Sequence, residues 1–186
     1  MRLLLIAPPG AGKGTQAKVL SAHYGIDTIS TGELLRREVT AGSDLGRAVA
    51  GYLARGDLVP DELMCDLVKP AVRAANERGG YMLDGYPRTQ AQALQGRRWA
   101  SEHGMAVDGA IYLEVSRPEL LRRLLGRASE EDRSDDRQAT MRHRLDVFET
   151  QTRPLLDFYR DLGILITIDG EQPVEAVTAD ILAALS

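Results

Sequence analysis

Cysteine is almost missing: Cys65 is the only one in 186 residues, so no internal disulfide can form and no cysteine cluster can hold zinc. It reads as a small buried apolar residue on a helix. No apolar run approaches membrane-spanning length, and residues 1–6 are too short for a signal sequence and are consumed by a first strand. A cytoplasmic protein that spans no membrane is expected. Positive charge is not in excess. With 23 Lys and Arg against 27 Asp and Glu, the net charge of −4 gives no support to nucleic-acid binding. Lysine is scarce, with only Lys13, Lys18 and Lys69 against twenty arginines, so an arginine counts here only by its position. Of the histidines, His23 falls at a helix end, His103 in a turn and His143 between two arginines, and none has an obvious proton to move. The Asn-Lys-x-Asp guanine signature is absent, which weakens any reading as a GTP-hydrolysing switch. Internal repeats and low-complexity linkers are also absent. At 44% hydrophobic and 27% charged residues, the chain fits one globular α/β domain with small mobile insertions.

Against these absences stands one dense motif. The apolar run Leu3-Leu4-Leu5-Ile6 leads directly into Ala7-Pro8-Pro9-Gly10-Ala11-Gly12-Lys13-Gly14-Thr15. This is a buried strand feeding a phosphate-binding loop. A phosphate chain needs several N–H donors converging at close range, and glycines permit that approach where side chains would block it. The helix opening near Gly14 adds its free N–H groups and positive dipole end. Lys13 supplies a mobile charge for the outer phosphates. Gly10, Ala11, Gly12, Lys13, Gly14 and Thr15 are therefore candidate triphosphate contacts. Two positions depart from the generic loop: Ala7 replaces the opening glycine, and Gly14 follows the lysine with Thr15 one place later. A methyl at Ala7 is harmless in extended geometry and costly at positive φ.

Strand and helix patterns alternate along the chain, predicting a parallel sheet covered on both faces. Strands are expected near 2–6, 27–30, 80–84, 109–115 and 164–169. Helices are expected near 14–23, 31–41, 44–54, 61–76, 89–102, 117–126, 136–159 and 173–184. Two stretches interrupt the alternation. Between the second and third strands, 30–60 carries two short helices, and 127–135 is a polar turn joining two helices. Ligands in such sheets sit at the carboxyl ends of the strands, where Ala7, Ser30, Asp84 and the turn after Val115 fall.

Two further motifs sit at strand ends: Ser30-Thr31-Gly32-Glu33-Leu34-Leu35-Arg36 and Asp84-Gly85-Tyr86-Pro87-Arg88-Thr89-Gln90-Ala91-Gln92. Each pairs an arginine with hydrogen-bonding groups, a combination suited to a second phosphate facing the loop. Together with Gly-Lys-Gly-Thr-Gln, Gly56-Asp57-Leu58-Val59-Pro60-Asp61-Glu62 and Asp169-Gly170-Glu171-Gln172-Pro173, they resemble the motifs of adenylate kinases over nearly the whole chain. The resemblance implies a P-loop kinase fold: one α/β domain, 1–186, with a five-stranded parallel sheet and helices on both faces. It also implies a helical monophosphate-binding insertion at 30–59 and a short lid at 127–135.

By this resemblance Arg36 and Arg88 would grip the AMP phosphate, where bidentate binding suits guanidinium. Thr31 and Gln92 would face the adenine, the backbone of Leu58 and Val59 would complete the pocket, and Gly85 would lie against it. Relatives acting on UMP and CMP usually carry Ala and Asn in place of Thr31 and Gln92, so AMP preference is implied. A cis bond before Pro87 is a family feature. In the closing arm, Arg123 resembles the arginine that stacks on the ATP adenine, and Arg127, Arg133 and Arg144 resemble those contacting phosphates. Arg133 and Arg144 would also face the AMP phosphate, and Gln172 would lie on the ATP side. Arg122, Arg137 and Arg142 read as salt-bridged surface. Asp135 and Asp136 would cap the helix that follows.

The reaction implied is ATP + AMP ⇌ 2 ADP with magnesium. The AMP phosphate oxygen is already ionised, so alignment and charge neutralisation replace a general base. Lys13, Arg88, Arg133, Arg144 and Asp84 would be the catalytic set, with Asp84 placing magnesium through water. The only partners implied are ATP, AMP and ADP, and a monomer is expected. A kinase for another monophosphate, and a nucleotide-binding regulator that has lost transfer activity, remain as rivals at this stage.

Overall fold

A computed structural model describes residues 1–127 and 138–186. Five strands, β1 (Arg2–Ile6), β2 (Asp27–Ser30), β3 (Tyr81–Asp84), β4 (Gly109–Glu114) and β5 (Leu165–Asp169), form one parallel sheet in the order β2-β3-β1-β4-β5. β1 lies at the centre, its Leu5 in register with Asp84 on one side and Ile111 on the other. The strand order reverses about β1, so the loop that follows it opens into the crevice where such sheets bind ligands.

The apolar run of β1 is continuous because both of its faces are covered. Leu4 and Ile6 pack into a core with Ile29, Leu83 and Tyr112 beneath α2 (Thr31–Ala41), α3 (Asp44–Arg55), α4 (Asp61–Glu77) and α5 (Gln90–Glu102). Leu3 and Leu5 point the other way, into a core with Met82, Ile111, Leu113 and Ile168. That second face is covered by α1 (Lys13–Tyr24), α6 (Arg117–Arg127), α7 (Gln138–Val147) and α9 (Val174–Ala184). Alternation of side chains along a strand thus divides one short segment between two cores. Cys65 is buried on α4, where its Sγ lies 2.9 Å from Gln95 Oε1. No helix among the described residues is long and apolar enough to cross a membrane.

The strands and most helices lie within about two residues of the sequence expectation. The helix expected over 136–159 is not continuous. α7 ends at Val147, a π-helical turn covers Phe148–Thr152, and α8 runs from Leu155 to Asp161. Pro154 explains the break: it has no N–H to continue the ladder, and its ring crowds the preceding turn. The Arg153 N–H instead reaches back five residues to the Phe148 carbonyl at 2.8 Å. Such single π turns cluster at functional sites, and this one carries Thr152 to the cleft.

Candidate active site

The phosphate loop spans 7–12, between β1 and α1. Gly12 caps α1 at φ +91°, a conformation closed to residues with a Cβ. No non-glycine among the described residues has positive φ, so Ala7 sits unstrained and its methyl joins the core. The backbone therefore stores no positive-φ strain at Ala7. Lys13 Nζ donates to the carbonyls of Ala7 at 2.8 Å and Pro8 at 3.3 Å, which keeps the ammonium over the loop. Gln16, the last residue of the loop motif, has a structural task. Its Nε2 donates to the Val174 carbonyl at 3.0 Å and its Oε1 accepts from the Thr178 hydroxyl at 2.8 Å, tying α1 to α9.

On the other side of β1, the ends of β2 and β3 build a second hollow. Thr31 is buried, and its hydroxyl donates to the Asp84 carbonyl at 3.2 Å. Gly85 lies at φ +85°, and a Cβ there would stand 2.6 Å from Thr31 Oγ1, so only glycine leaves room against this wall. Arg88 is held at three points. Its N–H donates to Gln92 Oε1 at 2.8 Å, its Nε to the Gly85 carbonyl at 2.8 Å, and its carbonyl accepts from the Thr152 hydroxyl at 3.0 Å. Gln92 is buried and donates through Nε2 to Asp61 at 2.6 Å. The bond between Tyr86 and Pro87 is cis, as the resemblance implied. Burial pulls the Arg88 pKa below the ordinary guanidinium value; Arg144 and Arg36 add repulsion, and Asp84 opposes them. Three cations gathered this closely call for a polyanion.

The two hollows adjoin. One, about 510 Å³ and open to solvent, is lined by Ala7, Lys13, Arg88, Arg144 and Thr152 among others. Its neighbour, about 570 Å³, is lined by Thr31, Arg36, Leu58, Val59, Met64 and Gln92. Gly56, Leu58, Gly85, Arg88 and Arg144 line both. The structure therefore brings Lys13 and the candidate base-facing residues to opposite ends of one cleft, with two arginines where they meet. Asp84 stands at the end of β3 beside β1, and its Oδ1 is buried with no hydrogen-bond partner among the described residues. An orphaned carboxylate oxygen fits a magnesium ion held through water. No cluster of three or more His, Cys, Asp or Glu that could itself hold a metal occurs among the described residues.

Several expected residues stand apart from this cleft or outside the description. Arg123 on α6 donates to Glu119 at 2.6 Å, and Arg122 shares the same carboxylate at 2.7 Å. Gln172 donates to the Asp169 carbonyl at 3.3 Å and to Asp180 at 2.8 Å, and it lines neither hollow. Arg133, Asp135 and Asp136 lie outside the described residues, as does the side chain of Arg127. Asp57, at the end of the insertion, bonds both Arg55 and His143 at 2.7 Å, joining the insertion to α7. The Arg55 bond, with His143 second, holds the Asp57 carboxyl below its usual range. Sequence reasoning missed Thr152 and Asp61 as parts of the site. Pro154 was the available signal for the first, since it announces a broken helix; Asp61 stood within the Gly56–Glu62 motif with no role given to it.

A parallel sheet with a phosphate loop after its central strand, and an arginine-lined acceptor hollow alongside, defines a nucleoside monophosphate kinase. The family model for adenylate kinase matches residues 5–164. The chain is similar to the adenylate kinase of Thermobifida fusca (strain YX), 43% identical over 185 residues covering 100% of this chain and 98% of that protein. It is also similar to the adenylate kinase of Kocuria rhizophila, 42% identical over 184 residues, covering 99% and 98% of the two chains. A third, from Acidothermus cellulolyticus, is 40% identical over an alignment of 212 residues that takes in 100% of this chain and 98% of the relative. The chain belongs to the adenylate kinase family. It is a transferase that moves a phosphoryl group between nucleotides in the reaction ATP + AMP ⇌ 2 ADP.

Proposed function

We propose that the cleft works as an AMP-preferring transfer site in which Lys13 and the loop hold ATP, while Arg36, Arg88, Thr31 and Gln92 hold AMP. The observation that carries this reading is the pair of adjoining hollows with Arg88 and Arg144 on their shared boundary. An oxygen of the AMP phosphate forms the new bond to the γ-phosphorus as the bond to the bridging oxygen of ADP breaks. Arg88 and Arg144, with Arg133 by resemblance, neutralise the equatorial oxygens in transfer. Lys13 leaves the loop carbonyls for the β- and γ-phosphates. Asp84 would hold a magnesium ion through water, and the ion would supply further neutralisation of the triphosphate. The backbone of Leu58 and Val59 and the flat face of Gly85 enclose the base. Arg123 and Arg127 serve the ATP side, and Gln172, outside the hollows, serves it through its position after β5.

Water must be kept from the γ-phosphate, and closure of mobile parts does that in such enzymes. Residues 31–59 close when both nucleotides bind, and by resemblance so does the arm 127–135, of which 128–135 lie outside the described residues. The Acidothermus cellulolyticus alignment spans 212 positions against 186 residues here, so that relative carries residues this chain lacks, in keeping with a short lid. A monomer in the cytoplasm that balances the adenine nucleotide pool completes the reading. Spectroscopic labels on residues 31–59 and on the arm test the closure: they approach the phosphate loop on adding a bisubstrate analogue, and an unchanged separation would sink it.

A further inference from the structure

The Gln92 side chain is held in one orientation by partners of opposite character. Its Oε1 accepts from the Arg88 backbone N–H at 2.8 Å, and its Nε2 donates to Asp61 Oδ1 at 2.6 Å. An amide's two ends have the same shape, so its orientation is set by what surrounds it. A backbone N–H can only donate, and an ionised carboxylate can only accept. Turning the amide over would set donor against donor at Arg88 and oxygen against oxygen at Asp61. Asp61, the first residue of α4, is itself fixed from α5. The Thr89 hydroxyl lies 3.3 Å from both of its oxygens while accepting the Gln92 N–H at 3.1 Å as the cap of α5. All of this is buried or half-buried, where a mismatched donor costs far more than in water.

The Nε2 hydrogen not given to Asp61 is the donor left for a base. Adenine carries a bare acceptor at N1, whereas hypoxanthine and guanine carry a hydrogen there. We propose that Asp61 is a specificity-determining positioning residue: it holds Gln92 as a donor, so that a purine with an acceptor at N1 fits and a 6-oxopurine does not. This rests on the reading that Gln92 faces the base. A 6-oxopurine monophosphate is then rejected because its N1–H meets an N–H that cannot turn away.

The test compares kcat/KM for AMP, IMP and the monophosphate of unsubstituted purine riboside in the wild type, Asp61→Asn and Gln92→Leu. Asparagine keeps the shape of aspartate but can itself accept or donate, so it removes the opposition at residue 61 and leaves only the Arg88 N–H against the turned amide. In Asp61→Asn the AMP:IMP ratio falls about threefold or more, mainly through a lower KM for IMP, because one of the two oppositions to turning the amide is gone. In the wild type, the purine riboside monophosphate, which keeps the N1 acceptor without the amine, is a better acceptor than IMP. If Asp61→Asn lowers AMP and IMP turnover together and leaves their ratio unchanged, while Gln92→Leu lowers the ratio, Asp61 is structural and the proposal is wrong. If neither variant moves the ratio, the reading of Gln92 fails as well. If the wild type uses the purine riboside monophosphate no better than IMP, the proposal is overturned without any variant.

Discussion

In the loop after β1, the donors set out for phosphate are main-chain N–H groups at the start of α1, and the loop is shaped by Gly10 and Gly12 at φ near +90°. Lys13 adds one mobile charge. Across the cleft, the walls include the side chains of Thr31, Arg88 and Gln92, pinned by hydrogen bonds to Asp84, Asp61 and Thr152 and to one another. A main-chain site reads phosphate, which is common to every nucleotide, and is insensitive to side-chain identity as long as φ is satisfied. Ala7 is an example. A side-chain site reads what differs between nucleotides, and each of its members can be spoiled singly.

Perturbing the two halves should therefore give different signatures. Arg88→Ala removes one of the two arginines shared by the hollows, and kcat/KM for AMP should fall roughly a hundredfold or more, the effect of losing a preorganised donor worth about 3–4 kcal/mol. Lys13→Ala should lose as much on the other side, measured in the same ADP-formation assay. Gly85→Val places a Cβ 2.6 Å from Thr31 Oγ1 at positive φ. It should raise the KM for AMP by roughly ten- to a hundredfold, the strain at such a position being about 1–3 kcal/mol. ATP affinity, followed by calorimetry, should fall less than that for AMP, because the clash is with Thr31 in the acceptor hollow, and equal losses on both nucleotides would break the division. Thr152→Val removes one hydrogen bond to the Arg88 carbonyl, worth about 0.5–1.5 kcal/mol, and should cost no more than about tenfold, acting through an arginine that lines both hollows.

Two smaller effects sharpen the comparison. Glu119 is held down to about 2 by its bond to Arg122, with Arg123 second. A depressed carboxylate stabilises the fold above its ordinary value of 4.5 and loses that contribution as the pH falls toward about 2. Glu119→Gln should thus flatten the fall in Tm over that window, and an unchanged slope would show that the pair contributes nothing. Ala7→Gly should change turnover by less than about twofold, because no strain is there to relieve. A clear gain would mean that the loop must pass through positive φ at that residue.

The parts of the molecule legible in the sequence are those that depend on local rules. β1 and the loop after it follow from an uninterrupted apolar run and closely spaced glycines. Thr31 and Arg36 follow β2, and Arg88 and Gln92 follow β3, in motifs singled out by their resemblance to the family. The break in 136–159 was harder, because apolar spacing continues through the π turn and only Pro154 marks it. Thr152 and Asp61 entered the site through long-range contacts, one with Arg88 and one with Thr89 and Gln92, which no window of sequence contains. The backbone angle at Ala7 was similarly invisible, since alanine fits extended geometry and says nothing about φ.

The most direct measurement is ADP formation from Mg-ATP with AMP, CMP, UMP, GMP or no acceptor. Transfer to AMP, with little to the others and little hydrolysis without an acceptor, is the predicted result. Comparable transfer to CMP or UMP would contradict the side-chain reading of the base by Thr31 and Gln92.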